Sequence, residues 1–301
     1  MVDNNLKPLV TILLITYNSD QYVLETLESI KTQNYSNIEL IISDDCSKDT
    51  TISICEKWLE KNKTVFKNAE IITVVENTGI PKNCNRGLYK ASGDWIKIIA
   101  GDDTLKKDCI SSNVEFIVSN PNAKFIDSKC DVFANFLIDQ NFLGSEPRPK
   151  RAINFEMDNK EQYKKLLKLN FVWTPSMFIN KDVLIKLGGF DTEFRLFEDL
   201  PVWLKATSNG YKIHFLDKPT VNYRIHDNSV SKKAKPHMNA QFAEEKLKFK
   251  KIYLDKNINP FFSFKYGLRY KLMIFLDKNG FNNTSRFSSF LYKIVGLLNY
   301  F

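Results

Sequence analysis

Twice between Ile38 and Asp103 a β-rich apolar run leads straight into a pair of aspartates, and this repetition constrains the chain more than any other feature. The first run is Glu39-Leu-Ile-Ile-Ser-Asp44-Asp45 and the second is Trp95-Ile-Lys-Ile-Ile-Ala-Gly-Asp102-Asp103. Continuous apolar, β-branched runs read as strands buried on both faces, the pattern of a parallel sheet covered by helices. Carboxylates at the carboxyl ends of neighbouring strands in such a sheet face the crevice where ligands bind. One pair can read a nucleotide base and the other can hold a divalent cation on phosphates. The pattern makes the chain an enzyme candidate.

The surrounding elements support this reading. Leu9 to Ile15 is another buried strand, followed by a helix capped by Ser19 or Asp20 with Val23, Leu27 and Ile30 on one stripe. After the strand Ile38 to Ser43, Ser47 and Asp49 open a helix whose inner face is Ile54, Cys55, Trp58 and Leu59. Strands are expected at Ile71 to Val75 and Trp95 to Ile99, with a helix from Pro81 to Lys90 between them. Such alternation predicts a mostly parallel sheet with right-handed crossovers. Beyond Asp103 the expected order is a helix over Asp108–Ser119, a strand over Ala123–Asp127, and a long irregular stretch. That stretch contains Glu146-Pro-Arg-Pro-Lys150 and reads as a flexible loop over the site. A short helix from Asp182 to Leu187 ends at Gly188-Gly189, and another starts near Asp199 and ends at Asn209-Gly210.

Charge divides the chain. From Lys232 to Phe301 fourteen Lys and Arg face four Asp and Glu, a net of +10, whereas the first 231 residues carry a net of −2. The expected organisation is therefore an α/β domain over 1–231 and a basic, aromatic helical tail over 232–301. In the tail, Phe287, Phe290, Leu291, Ile294, Leu297, Leu298 and Phe301 recur at spacings of three and four, one apolar face on the last helix. A basic tail of this kind suits an anionic surface such as the inner leaflet, or packing on the α/β domain or a second subunit, and a solvated set of helices is the other reading. Five cysteines without metal-type spacing read as reduced thiols of a cytoplasmic protein. The first residues show no signal-peptide h-region, and no apolar run reaches the roughly 18–20 residues of a spanning helix.

Five landmarks in order carry a family resemblance: Ile15-Thr-Tyr-Asn18, Ser43-Asp-Asp-Cys-Ser47, Asn77-Thr-Gly79 with Asn85-Arg-Gly87, Ala100-Gly-Asp-Asp103, and Gly188-Gly-Phe-Asp191 followed by Glu198-Asp199. Over about residues 8–231 the chain resembles the inverting, nucleotide-sugar-dependent glycosyltransferases of family 2. The resemblance implies the GT-A fold: a Rossmann-like, mostly parallel mixed sheet flanked by helices, here with a C-terminal helical extension.

It also implies roles. Thr16, Tyr17 and Asn18 form the turn that meets the donor nucleotide, with the Tyr17 ring against the base. Asp44 and Asp45 are base readers, Asp45 foremost, and capping of the next helix is open as the other role for either. Lys82, at a helix opening after Gly79, suits a diphosphate, although family members place an arginine at the position of Asn83 or Cys84. A surface lysine is the alternative. Asp102 and Asp103 stand in for the family's Asp-x-Asp motif, with Gly101 and Ala100 in place of its usual first acid; they imply Mn²⁺ or Mg²⁺ on the donor phosphates. Asp102 is counted among the nucleotide contacts as well.

His226, in Tyr223-Arg-Ile-His-Asp-Asn-Ser229, resembles a closing-loop residue and is a further candidate ligand, or a structural histidine. Asp199 is the expected catalytic base, taking the acceptor hydroxyl's proton in a single inverting displacement. Glu198 is expected to orient the base or contact the acceptor, and Trp173 to stack on an acceptor sugar or fill the core. The implied reaction moves one sugar, from a UDP-linked donor, to a saccharide hydroxyl of a cell-surface polysaccharide, the acceptor being free or polyprenyl-linked. Two rivals differ in class. A sugar-phosphate nucleotidyltransferase needs a Gly-rich, Arg/Lys-bearing loop after its first strand, where this chain has Ile15-Thr-Tyr-Asn-Ser-Asp20. A nucleic-acid-binding protein fits the pI near 9.0, but no nucleic-acid module is recognisable, and nucleic acid is not an expected partner.

Overall fold

Strand β1 (Val10–Thr16) lies at the centre of the parallel half of a sheet. The computed structural model describes residues 7–148, 152–227 and 237–298. They divide into two units, one of residues 1–163 and 171–225, the other of residues 164–170 and 226–301.

The first unit holds the sheet. Its remaining strands are β2 (Ile38–Asp44), β3 (Asn68–Ile72), β4 (Trp95–Ala100), β5 (Thr104–Leu105), β6 (Phe125–Ala134), β7 (Phe142–Glu146), β8 (Phe178–Asn180) and β9 (Ile213–Ile225). They follow the order β3-β2-β1-β4-β8-β6-β9-β5, with β7 paired to β6. The first four are mutually parallel, β8 runs antiparallel between β4 and β6, and β9 is parallel to β6. This is the expected mixed GT-A sheet.

Helices α1 (Val23–Lys31), α2 (Thr51–Asn62), α3 (Ile80–Lys90), α4 (Cys109–Ser119), α5 (Asn159–Leu166), α6 (Lys181–Lys186) and α7 (Asp199–Ser208) accompany it. On one face Val10, Ile12 and Leu14 join Val23, Leu27, Ile30, Cys55 and Trp58 in the main core. Each such aliphatic side chain contributes roughly 1.5–3 kcal/mol on burial. On the other face α3 comes close: a Cβ added at Gly87 would sit 2.0 Å from Leu13 Cδ1.

Register decides what the sheet presents. Thr16 pairs with Asp44, and Ile15 with Ala100. Tyr17, Asp45 and Gly101 to Asp103 therefore leave three adjacent strands at one edge.

The structure departs from the sequence expectations at the start of α1, whose N-cap is Tyr22 and not Ser19 or Asp20, and in three further places. The third strand begins at Asn68 and ends at Ile72, because pairing with β2 starts there; Val75 is 95% exposed. The strand expected over Ala123–Asp127 extends as β6 to Ala134, drawn out by its long ladder with β9. Part of the irregular stretch is ordered as β7, and residues 149–151 of the expected loop lie outside the described residues.

The second unit contains α8 (Ala240–Phe249), α9 (Pro260–Lys278) and α10 (Arg286–Gly296). Its core is Met238, Ala243, Leu276, Tyr292 and Val295, and Asn239, Asn259 and Ser285 cap the three helices. On α10 the apolar spacing noted above marks a solvent-facing stripe: Phe287, Phe290, Ile294 and Leu297 are exposed, whereas Tyr292 and Val295 are buried. On α9, Phe261, Phe264 and Phe275 are exposed as well. No helix among the described residues is long and apolar enough to cross a membrane.

Candidate active site

The residue after β1, Tyr17, has its side chain 45% exposed at this edge, open to a flat ligand. Its neighbours are structural. Asn18 takes a left-handed φ of 51° and accepts the Lys48 N–H at 2.8 Å, while its own N–H donates to Ser47 Oγ. Thr16 Oγ1 donates to Asp44 Oδ2 at 2.8 Å. Asp44 is buried and also accepts the Ser47 N–H and hydroxyl, so its carboxylate closes the turn leading to α2.

Asp45 is buried too, and its carboxylate is heavily engaged. It accepts the N–H groups of Thr78 (3.0 Å) and Gly79 (2.7 Å), the Thr78 hydroxyl (2.6 Å), and Arg86 Nη2 at 3.3 Å. The expected base reader thus shapes the β3–α3 loop at the start of α3. That loop depends on Gly79: φ is +93°, and a Cβ there would meet Arg195 Cγ and O at 2.7 Å. Ile80 N–H donates to the same Arg195 carbonyl, and Arg195 Nη2 donates to Asn77 Oδ1 at 2.6 Å. Asn85 grips Phe190 at both its N–H and its carbonyl. These bonds draw the segment from Gly188 to Glu198 over α3.

Lys82 lies exposed in the first turn of α3, at the positive end of its dipole. Residues 83 and 84 carry no arginine, but one stands close by. Arg86, one helical turn later, donates to Asn83 Oδ1 (2.8 Å), Thr78 Oγ1 (2.8 Å) and Asp45. The sequence signal for it was present in Asn85-Arg-Gly87, since residues three and four apart share a helix face.

The second aspartate pair is split by burial. Asp103 is 1% exposed, and its Oδ1 accepts the Arg224 N–H at 2.8 Å. Burial, then the neighbouring Asp102 charge, pushes its carboxyl well above the usual range. Asp102 is partly exposed, and its carbonyl accepts Arg224 Nε at 2.8 Å. Arg224, given no role from sequence, is a fully buried hub: its guanidinium also reaches Asn135 O and Glu25 and lies over the Tyr22 ring.

Among the described residues no cluster of three or more His, Cys, Asp or Glu could by itself hold a metal ion. Mg²⁺-like ions that keep waters and take phosphate oxygens need only one or two protein carboxylates. The partly exposed Asp102 suits that mode; an all-protein site does not fit, and the deeply placed Asp103 carboxylate is committed to β9. His226 belongs to the second unit, and residues 228–229 of its segment lie outside the described residues.

Asp199 is the first residue of α7 and Glu198 its N-cap. Asp199 Oδ2 accepts the Thr174 hydroxyl at 3.1 Å. Burial, followed by the Asp199 charge, pushes Glu198 up to about 8. Burial above all, followed by the Glu198 and Asp45 charges, raises the thiol of the buried Cys84 on α3. Trp173 packs on the main core with its ring edge-on to Tyr223, centroids 5.6 Å apart. A chain of contacts therefore links Asp199 to the Thr174 hydroxyl, and the neighbouring Trp173 through Tyr223 to Arg224, whose N–H meets Asp103 and whose Nε meets the Asp102 carbonyl. β8 explains it: antiparallel to β4, it is preceded by Thr174–Ser176 at the carboxyl end of that strand.

Because Glu198 ionises high, its contribution to folding is full below its ordinary value of 4.5 and is lost as pH rises through about 8. Replacement by Gln removes this loss. Melting temperatures measured from pH 6 to about 9 should fall less steeply for Glu198→Gln than for the wild type. Parallel curves would show that Glu198 does not titrate there.

Comparison with known proteins agrees with this fold. The sequence model of "Glycosyl transferase family 2" matches residues 11–188. A candidate teichuronic acid biosynthesis glycosyltransferase of Bacillus subtilis, TuaG, is 25% identical over 227 residues, covering 75% of this chain and 83% of that protein. Two solved structures share the fold. S. aureus TarS 1–349 in complex with UDP-GlcNAc has a TM-score of 0.61 at 18% identity, covering 95% of this chain and 79% of that one. The mannosyltransferase PcManGT of Pyrobaculum calidifontis, with GDP-Man and Mn²⁺, has 0.57 at 17%, covering 99% and 76%. With the family's sequence pattern spanning more than half its length on a GT-A sheet, this chain belongs to glycosyl transferase family 2 and is a glycosyltransferase.

Proposed function

We propose that the chain transfers one sugar, with inversion, from a UDP-linked hexose or N-acetylhexosamine to a saccharide acceptor in bacterial surface-polysaccharide synthesis. The observation that carries the reading is the chain of contacts from Asp199 through Thr174, Trp173, Tyr223 and Arg224 to the Asp102 carbonyl, which supports a proton acceptor and a cation-binding carboxylate at one sheet edge. TuaG supports the acceptor class and the TarS complex the donor class. Tyr17 stacks on the base, while Lys82 and Arg86 meet the diphosphate from the start of α3. Bound at Asp102, Mg²⁺ or Mn²⁺ would supply positive charge against the departing diphosphate. Asp199 takes the acceptor hydroxyl's proton as that oxygen attacks the anomeric carbon, and burial and the Asp199 charge hold the neighbouring Glu198 toward its neutral form.

A screen of UDP- and GDP-sugars, following nucleoside diphosphate release with Mn²⁺ and with EDTA, tests the reading. UDP release that EDTA abolishes is expected. Pyrophosphate release from UTP and a sugar phosphate would instead make the chain a nucleotidyltransferase. Asp102→Asn should leave the melting temperature unchanged and lose Mn²⁺-dependent UDP binding. Asp103→Ala should act mainly on stability, because it removes the acceptor of the Arg224 N–H. The reverse pattern would move the metal ligand to Asp103.

The exposed stripes of α9 and α10 favour one addition, docking of the second unit on an anionic membrane. Phe261, Phe264 and Phe275 share one side of α9 by helical spacing, with Lys265, Lys271 and Lys278 beside them; Phe287, Phe290, Ile294 and Leu297 do likewise on α10, beside Arg286 and Lys293. An aromatic face edged by cations is the pattern of an interfacial helix. Vesicles with phosphatidylglycerol should co-sediment the protein, and Phe287→Ser/Phe290→Ser should release it. Equal binding to neutral vesicles, or none, would remove the membrane reading.

A further inference from the structure

Below the site lie two opposite charges that the reaction does not use. Lys97 on β4 and Asp127 on β6 are both fully buried. Burial holds the Lys97 ammonium below its usual range and pushes the Asp127 carboxyl up to about 7. A well-packed apolar pair in such places is often as stable or more so, so stability alone does not account for them.

Both groups are spent on one short turn, Thr174–Ser176. Lys97 Nζ donates to the Pro175 carbonyl at 2.5 Å. Asp127 accepts the Trp173 N–H at Oδ2 (3.2 Å) and the Ser176 hydroxyl at Oδ1. The ring of Pro175 stiffens the turn further. Gripped at residues 173, 175 and 176, the turn presents the partly exposed Thr174, whose hydroxyl donates to Asp199 Oδ2. Rotation of an aspartate carboxylate about its terminal torsion is broad and roughly two-fold. A hydroxyl fixed on one oxygen therefore sets the direction of the other.

We propose that Thr174 is the positioning residue for the Asp199 carboxylate and that the buried Lys97 and Asp127 hold Thr174 there. The proposal rests on Asp199 as the base. The acceptor hydroxyl then meets an oxygen whose direction is set before binding, which is where misplacement is most costly.

The test uses the full chain, with UDP-N-acetylglucosamine and UDP-glucose as donors, UDP release as the rate, and calorimetry of UDP as the binding readout. Thr174→Val should lower kcat about tenfold to a hundredfold, with donor KM and UDP affinity unchanged. Thr174→Ser, which keeps the hydroxyl, should recover most of it. Asp127→Asn should lower kcat in the same sense, and the double variant should be no worse than Thr174→Val, since the two act through one contact. Wild-type kcat in Thr174→Val, loss of UDP binding with it, a Ser variant as slow as the Val variant, or multiplicative losses would each overturn the proposal. Asp199→Asn in parallel separates the two readings: an active Asn variant removes the base, and an inactive one beside a normal Thr174→Val removes only the positioning.

Discussion

Asp199→Asn should lower turnover by about 10²–10⁴-fold, the usual contribution of a positioned general base, while UDP binding persists. The amide keeps the size of the side chain and can still meet Thr174, but it cannot take a proton. Its place as the first residue of α7 offers the rival view that Asp199 merely complements the helix dipole. That role is worth about 0.3–1 kcal/mol and would show as a small fall in melting temperature with normal turnover. The two outcomes differ by orders of magnitude in rate, so single-turnover UDP release measured beside a melting curve decides between them.

Asp45→Ala should be the most damaging change to the fold at the donor side. Its carboxylate serves Thr78, Gly79 and Arg86 at once, and it is almost fully buried. Removing one partner of a buried ion pair costs about 3–5 kcal/mol, and two backbone N–H groups would lose their acceptor as well. A melting temperature lower by at least about 6 °C, with loss of UDP binding, is the expected result. Arg86→Met should reproduce the binding defect with a smaller fall, because Arg86 is the more exposed partner. If Asp45→Ala melts like the wild type and loses only the preference for uridine over guanosine, then Asp45 reads the base and does not brace the loop.

The parallel half of the sheet was legible because each strand is a continuous apolar run buried on both faces, and its turns follow within a few residues. Beyond Asp103 the elements were harder to read. β5 and β8 are two and three residues long, and β9 mixes exposed and buried positions, so none carries a clear period of its own. They form because neighbours already placed offer unpaired backbone groups. The tail shows a related limit: spacing located an apolar stripe on α10, yet its most apolar members face solvent and Tyr292 and Val295 face the core.

Sequence alone determined the fold class, the parallel half of the sheet and the set of acidic residues at strand ends, since these follow from local patterning and motif order. Only the tertiary structure decided what each acid does. Asp44 closes a turn, Asp45 braces a loop, Asp103 holds β9, and Asp102 and Asp199 keep part of their surface in the open. A carboxylate's role depends on which donors surround it and how much water it retains. Both are set by residues distant in the chain, such as Thr78, Arg86, Thr174 and Arg224.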